Sequence, residues 1–211
     1  MTSTTVMDSS QRIPIGAGLG GGSSNAATFL LGMKKLYRLK ISRRELLALG
    51  KKLGADVPFF LYNVNQAIGS GRGDRIRPRP SKARQWFILV LSSKGLATKK
   101  VYGSLAFVRP ADSLTKINRA ATLLCTFLEG KNFDSIPRLL ANDLEPPAFR
   151  LRPSLRSLVT HFEKRGVLAA RMTGSGPTVF AIFSQLREAK RLALPLQRAF
   201  PAQKIIICHT Q

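Results

Sequence analysis

With 211 residues, 44% of them hydrophobic and 21% charged, the chain can bury a core as one large domain or two small ones, and its composition is that of an ordinary globular protein. No apolar run approaches the roughly 20 residues of a membrane span, and residues 1–11 are polar and Ser/Thr-rich without the apolar stretch of a secretory signal, so cytoplasm is the expected compartment. The charge is lopsided: 34 Lys and Arg against 11 Asp and Glu leave a net +23, which calls for an anionic partner, either nucleic acid or a phosphorylated small molecule.

Taken in chain order, residues 12–15 read as a short extended segment that runs into a glycine cluster, Gly16-Ala-Gly-Leu-Gly-Gly-Gly22. Ser23-Ser-Asn25 then offers N-cap chemistry for a helix over residues 25–39, since short polar side chains accept the unpaired N–H groups of a first turn. Ala26, Phe29, Leu30, Met33, Leu36 and Tyr37 recur at three and four and predict its buried face. A second helix follows Ser42, where Ser42-Arg-Arg-Glu45 fits a capping box. It buries Leu46, Leu47, Leu49 and Leu53 and stops at Gly54. Pro58 disfavours helical geometry at Val57, so Asp56 is expected on a turn.

Residues 70–82 mix Gly71, Gly73, Pro78 and Pro80 with arginines, the sharpest shift of composition in the chain. They mark the boundary between an amino-terminal domain, residues 1–80, and a carboxyl-terminal domain, residues 81–211. Beyond it Trp86–Leu91 reads as a strand, and residues 98–107, 117–128 and 154–164 as helices. Residues 168–172 and 178–183 read as strands about a Gly-Ser-Gly turn, residues 186–198 as a helix and residues 204–208 as a last strand. Strands and helices in this mixture predict an α+β domain with a helix-covered sheet.

Cys125 and Cys208 lie far apart, in no CxxC pair and near no histidine at metal-ligand spacing; buried reduced thiols are expected and no metal site. His161 and His209 stand alone in polar or terminal surroundings and are expected at the surface. The basic residues are spread along the chain, grouped locally at Lys34 and Lys35, Arg43 and Arg44, Lys51 and Lys52, and residues 72–84. Neither a basic tail nor the aromatic-basic interleaving of an RNA-recognition module is present. A generally basic surface is therefore expected, and a nucleic-acid partner is not.

The strongest chemical signal is residues 14–27, Pro14-Ile-Gly-Ala-Gly-Leu-Gly-Gly-Gly-Ser-Ser-Asn-Ala-Ala27. Glycines let a backbone curl until successive N–H groups face one concavity that holds an anion. The helix that follows adds its unpaired N–H groups and the positive end of its dipole. Ser23 and Ser24 add hydroxyls, and the segment reads as a loop for nucleotide phosphates. Gly16, Gly18 and Gly21 formally satisfy GxGxxG, but no convincing strand precedes them and no ribose-binding acid follows on a strand. The P-loop ending Gly-Lys-Ser/Thr is missing too. A flexible linker is the bland alternative, though linkers rarely join such an entry to a capped amphipathic helix. Asp56 likewise has two readings from its surroundings: a proton acceptor, or a simple turn residue after a helix stop.

Residues 14–27 resemble the second signature of the GHMP kinases, the group of galactokinase, homoserine kinase, mevalonate kinase and phosphomevalonate kinase. The Gly-Leu-Gly-Gly-Gly-Ser-Ser-Asn-Ala-Ala form is most like the diphosphocytidyl-methylerythritol kinase branch. Gly54-Ala-Asp-Val-Pro-Phe-Phe60 resembles that branch's catalytic aspartate segment, and Gly71-x-Gly-Asp74 its next turn. Thr98-x-x-Val-Tyr102 resembles a substrate-side segment, while Asn142-Asp-Leu-Glu145 and Arg171-Met-Thr-Gly-Ser-Gly-Pro177 resemble later signatures. The matches keep their order over nearly the whole chain from Arg12 onward.

This resemblance implies the α+β GHMP kinase fold, a nucleotide-binding domain followed by a ferredoxin-like carboxyl-terminal domain. It implies ATP with Mg²⁺ as phosphate donor, held by Pro14, Ile15, Gly16, Ala17, Gly18 and Leu19 and onward through Gly20, Gly21, Gly22, Ser23 and Ser24. Asp56 would be the general base that faces the accepting hydroxyl. The implied reaction is phosphorylation of the 2-hydroxyl of 4-diphosphocytidyl-2-C-methyl-D-erythritol, in the non-mevalonate route to isoprenoid precursors. Tyr102, with Thr98 beside it, occupies the place where the branch stacks a ring on cytosine; packing of that ring on the core is the alternative. Gly174, Ser175 and Gly176 match the third signature, a turn between two strands beside the nucleotide. Asn142 and Asp143 are expected to hold neighbouring loops.

The family opens with a Pro-Ala-Lys-Ile-Asn-Leu type strand whose lysine and asparagine lie beside the catalytic aspartate, and residues 1–11 do not resemble it. The expectation is a truncated nucleotide-binding domain, exposed apolar faces on the first two helices, and an Asp56 without its neighbouring cation. A chain of that kind would be weakly active or inactive. Two rivals stay open: another GHMP small-molecule kinase, and a non-catalytic basic relative that binds nucleic acid. Homodimer formation is left open as well.

Overall fold

Alanine, leucine and methionine after a glycine-rich turn favour a helix. The structure, a computed structural model that describes residues 13–92, 94–105, 120–126, 129 and 136–210, places it at α1 (Gly21–Leu36). Its N-cap is Gly20 in the left-handed conformation (φ 67°, ψ 18°), and no side chain caps it. Ser23 and Ser24 therefore lie inside the first turn instead of in front of it, because a glycine can turn the chain into the helix where a side chain would clash.

Ser42 does cap α2 (Arg43–Leu53). Its hydroxyl accepts from the Glu45 N–H at 3.2 Å, and Glu45 Oε2 accepts from the Ser42 N–H at 2.8 Å. Gly54 closes α2, and α3 (Val57–Tyr62) follows at once. Here the expectation of an extended Val57 fails. Pro58 takes the second helical position, where a missing N–H costs nothing, and Asp56 becomes the N-cap residue.

Ala27, Leu46, Val57 and Leu61 form the buried centre of these three helices. Phe29, Leu36, Tyr37, Leu49 and Leu53, on the faces that periodicity marks as apolar, are exposed, Leu36 at 63% and Leu53 at 59%, which agrees with the expectation of exposed apolar faces on the first two helices. Burial falls on small residues that let the helices approach: a Cβ on Gly50 would lie 2.7 Å from Leu61 Cδ1. The hairpin of β1 (Ala67–Ser70) and β2 (Arg75–Pro78) follows, turning through Gly71 and Gly73 at φ 68° and 91°. The chain divides into two bodies. One contains Gly20–Asn63 and Gly69–Ile76; the other contains Gly16–Leu19, Val64–Ile68 and the described residues of Arg77–Gln211.

The second body begins its sheet with β3 (Trp86–Leu91), followed by α4 (Thr98–Gly103), α5 (residues 120–126), α6 (Ile136–Leu139), α7 (Glu145–Leu151) and α8 (Pro153–Glu163). Then come β4 (Ala169–Met172), β5 (Val179–Phe183), α9 (Leu186–Ala199) and β6 (Lys204–His209). The sheet order is β4-β5-β3-β6 with every neighbour antiparallel. Helices after the first and third strands make this the β-α-β-β-α-β ferredoxin-like arrangement.

Side chains alternate along each strand, so the sheet has two apolar faces. Ile88, Val90, Ala181 and Phe183 face the layer of α8 and α9, where Leu158, Phe162 and Leu196 are buried. Phe87, Phe180 and Ile182 face the other way, towards Ile136 and Leu124. The strands and α8 and α9 fall within a residue or two of their predicted bounds. The helix predicted at residues 98–107 ends at Gly103, and of that predicted at residues 117–128 the described part is residues 120–126. The rest of both lies outside the described residues or past the helix end.

Cys125 and Cys208 are free and half-buried, not fully buried, and burial raises both thiols above their ordinary range. His161 departs from its surface expectation. Its ring stands edge-on to Phe200 at 5.0 Å with Nε2 shut from solvent, and burial lowers its pKa. No helix among the described residues is long and apolar enough to cross a membrane.

Candidate functional site

Gly16, Gly18 and Gly20 are left-handed at φ 69°, 72° and 67°, while Ala17 and Leu19 between them are not. Such alternation curls a backbone so that its N–H groups turn to one side. The N–H groups of Gly21, Gly22 and Ser23 then open α1 with no earlier helical carbonyl to reach. Among the described residues, no N–H of residues 18–23 donates a hydrogen bond. Consecutive unpaired amides at the positive end of a 16-residue helix make a seat for an anion.

Gly18 is needed for a second reason. A Cβ there would press into the Thr173 carbonyl oxygen and come within 2.9 Å of the Gly176 carbonyl oxygen. The Thr173 hydroxyl donates to the Gly18 carbonyl at 2.8 Å. Within the second body, residues 16–19 are thus seated on the turn between β4 and β5. That turn is itself braced: Asn142 Nδ2 donates to the carbonyls of Met172 and Gly174, both at 2.8 Å, and Glu145 Oε1 accepts from the Met172 N–H at 2.7 Å. Burial raises the pKa of Glu145, and the Met172 N–H works against that shift. Arg171 is a brace as well, donating from Nε to the Leu140 carbonyl at 2.8 Å and pairing with Glu163 at 3.1 Å.

Asp56 belongs to the first body, at the N-cap of α3. An aspartate there ordinarily accepts an N–H of the first turn. This one makes no side-chain cap bond and is exposed, so α3 does not consume its carboxylate. The turn that carries it lies against the start of α1: a Cβ on Gly54 would sit 4.0 Å from Ser23 Oγ, and one on Gly20 would sit 3.1 Å from the Phe60 ring. The same body therefore holds residues 20–24 and the Asp56 turn side by side.

Tyr102 on α4 is 55% exposed, while its neighbour Val101 is fully buried and takes the core position. The ring is not a core residue. Thr98, at the start of α4, exchanges a hydroxyl hydrogen bond of 2.9 Å with Ser175, itself buried in the β4–β5 turn. Thr98 and residues 174–176 are thus brought together with residues 16–19 in one body. Sequence reasoning missed Thr173 and Glu145 as site-holding residues. Thr173 lay inside a quoted motif, but nothing local says that its hydroxyl reaches a carbonyl 155 positions away.

Comparison with known proteins gives the family to which this arrangement belongs. Residues 5–63 match the family described as GHMP kinases N terminal domain, and residues 120–202 match GHMP kinases C terminal. The chain belongs to the GHMP kinase family. It is 36% identical over 193 residues to a 4-diphosphocytidyl-2-C-methyl-D-erythritol kinase of Pseudarthrobacter chlorophenolicus, covering 90% of this chain and 60% of that protein. A protein of the same description from Syntrophus aciditrophicus is 38% identical over 183 residues, covering 85% and 61%. The crystal structure of a 4-(cytidine 5'-diphospho)-2C-methyl-D-erythritol kinase superposes with a TM-score of 0.71 at 31% identity, over 95% of this chain and 69% of that one. A homoserine kinase from Cytophaga hutchinsonii shares the fold at a TM-score of 0.66 and 16% identity. The chain spans 60–62% of the length of the curated relatives named first here and of a third from Clavibacter michiganensis.

Proposed function

We propose that this chain carries the phosphate loop and the proton acceptor of a kinase. That kinase moves the γ-phosphate of ATP to the 2-hydroxyl of 4-diphosphocytidyl-2-C-methyl-D-erythritol. The observation that carries the reading is the run of unpaired amides at residues 18–23, in a chain whose relatives at 36–38% identity bear that activity in their names.

In this reading the amides of residues 18–23, with the hydroxyls of Ser23 and Ser24, hold the ATP phosphates, and Pro14, Ile15, Gly16 and Ala17 set the loop's entry. Asp56 orients the substrate hydroxyl and takes its proton as the new O–P bond forms and ADP leaves. Tyr102 offers its exposed ring to the cytosine face, and Thr98 and the residue 174–176 turn keep residues 16–19 of the loop in place. ATP would bring Mg²⁺ with it, and the ion would neutralise phosphate charge when bound. Residues 1–80 serve as the amino-terminal domain and residues 81–211 as the carboxyl-terminal one, in the cytoplasm.

The test has two arms on the full chain. Calorimetric titration with a non-hydrolysable ATP analogue is expected to show binding that Gly18→Val abolishes and Asp56→Asn leaves unchanged. Transfer of labelled phosphate to the diphosphocytidyl substrate is expected to fall by about 10²–10⁴ in Asp56→Asn. Unchanged analogue binding in Gly18→Val, or unchanged transfer in Asp56→Asn, would contradict the reading.

A further inference from the structure

The excess of positive charge is the feature that the proposed reaction leaves unused. The basic residues are dispersed along the sequence, and α8 and α9, packed on one face of the same sheet, carry seven of the 34 on or beside their outward sides. α9 presents Arg187, Arg191 and Arg198 at helical spacing, with Lys190 beside them, all exposed. α8 adds Arg156, and Lys164 and Arg165 follow at its end, also exposed.

The acids of these two helices are both engaged elsewhere. Glu163 pairs with Arg171, and Glu188, which also lines the cleft between Arg165 and Arg191, accepts from the Ser184 hydroxyl and the Gln185 N–H in the cap of α9. Among the described residues no carboxylate lies within ion-pair distance of the outward cations.

Two clefts meet at Arg165. One, of about 310 Å³, separates it from Arg191 on α9. The other, of about 410 Å³, runs along α8 past Lys164 and Arg156, with the hydroxyls of Ser157 and Thr160 in its wall. Arg165 is steadied by a 3.1 Å bond to the His161 carbonyl, and Arg156 lies over the Phe149 ring at 6.0 Å. Both guanidinium groups are held without surrendering their fork of donors to an acid.

We infer that this face binds the phosphate backbone of a nucleic-acid duplex. Of the large apolar residues on α8 and α9, only Leu194 is exposed, and no aromatic ring is. The face therefore lacks a stacking platform for unpaired bases and a row of apolar side chains to enter a membrane. What it offers is guanidinium forks and hydroxyls, the donors that phosphate oxygens take. Binding is indifferent to sequence and steeply salt-dependent, each neutralised phosphate adding about 0.9 to the log–log slope.

Fluorescence anisotropy with labelled DNA and RNA duplexes, titrated with the full chain between about 50 and 200 mM salt, tests this. The double variant Arg165→Glu/Arg191→Glu is expected to lose at least about tenfold in affinity and about 2 in slope. Lys40→Glu/Arg44→Glu, an equal change of charge on the other body, is expected to lose far less. ATP-analogue binding should survive in the α8–α9 variant, which keeps this result independent of the kinase reading. Melting curves establish that each variant is folded, and Arg165→Gln/Arg191→Gln repeats the test with a milder change. Absence of duplex binding at low salt, equal losses in the two double variants, or tighter binding to single strands or to phosphatidylserine vesicles would each overturn the inference.

Discussion

Glu145 shows how much of the candidate site is held by residues that touch no ligand. Its carboxylate accepts from the buried Met172 N–H, and burial raises its pKa. The native state then keeps a proton that the unfolded chain would release, so the ionised group lowers stability at neutral pH, and that loss is recovered as pH falls through the raised pKa towards the ordinary value. Glu145→Gln keeps an acceptor without the charge and is expected to melt no lower than the parent at neutral pH. Glu145→Ala leaves the N–H unpaired and should lose about 1–3 kcal/mol in chemical denaturation. His161 has the reverse sign: burial first, then Arg165, lowers its pKa. The unfolded chain binds the proton sooner, so this contribution holds above about pH 6.5 and is lost as pH falls below it. The difference in denaturation midpoint between the parent and His161→Asn should therefore shrink on acidification through that range.

The glycine loop and Asp56 were legible because each is a local chemical pattern, residues that permit left-handed backbone and a carboxylate on a turn. The grip of Thr173 on Gly18 was not, since only the folded sheet brings those segments together.

At the scale of elements, local rules succeeded where they had no competitor. Ser42 and Glu45 satisfy one another reciprocally, and hydrogen bonds from Ser42 lower the Glu45 pKa. Ser42→Ala is expected to lose about 1 kcal/mol in thermal or urea unfolding, with Ser42→Asp near the parent. β3 and β6 were readable from their runs of isoleucine, valine and leucine, which suit a sheet apolar on both faces. Proline misled at one place: Pro58 sits inside α3, at a position where no N–H is required. The β1–β2 hairpin hid among arginines because its strands are four residues each, too short for a pattern to show. Ser23 lost the N-cap of α1 to Gly20, a choice that backbone geometry decides and side-chain propensity does not reveal.

At the scale of the whole molecule, the order of elements from β3 to β6 indicated an α+β domain with a helix-covered sheet, and its ferredoxin-like form came from the family resemblance; the apolar faces of α1 and α2 are exposed, as expected. Leu36, Leu49 and Leu53 are exposed because close approach over Ala27 and Gly50 sets which sides of these helices meet. Charge could not be placed from sequence either, since whether the cations of α8 and α9 stand without an acid depends on where Glu163 and Glu188 find partners. The account rests on the amides of residues 18–23 as the seat of a triphosphate. Amide-resolved proton–nitrogen NMR of the full chain, titrated with a non-hydrolysable ATP analogue, tests it most directly. The account predicts saturable shifts at residues 18–23 that vanish in Gly18→Val; shifts confined to other segments, or shifts at residues 18–23 that persist in that variant, would contradict it.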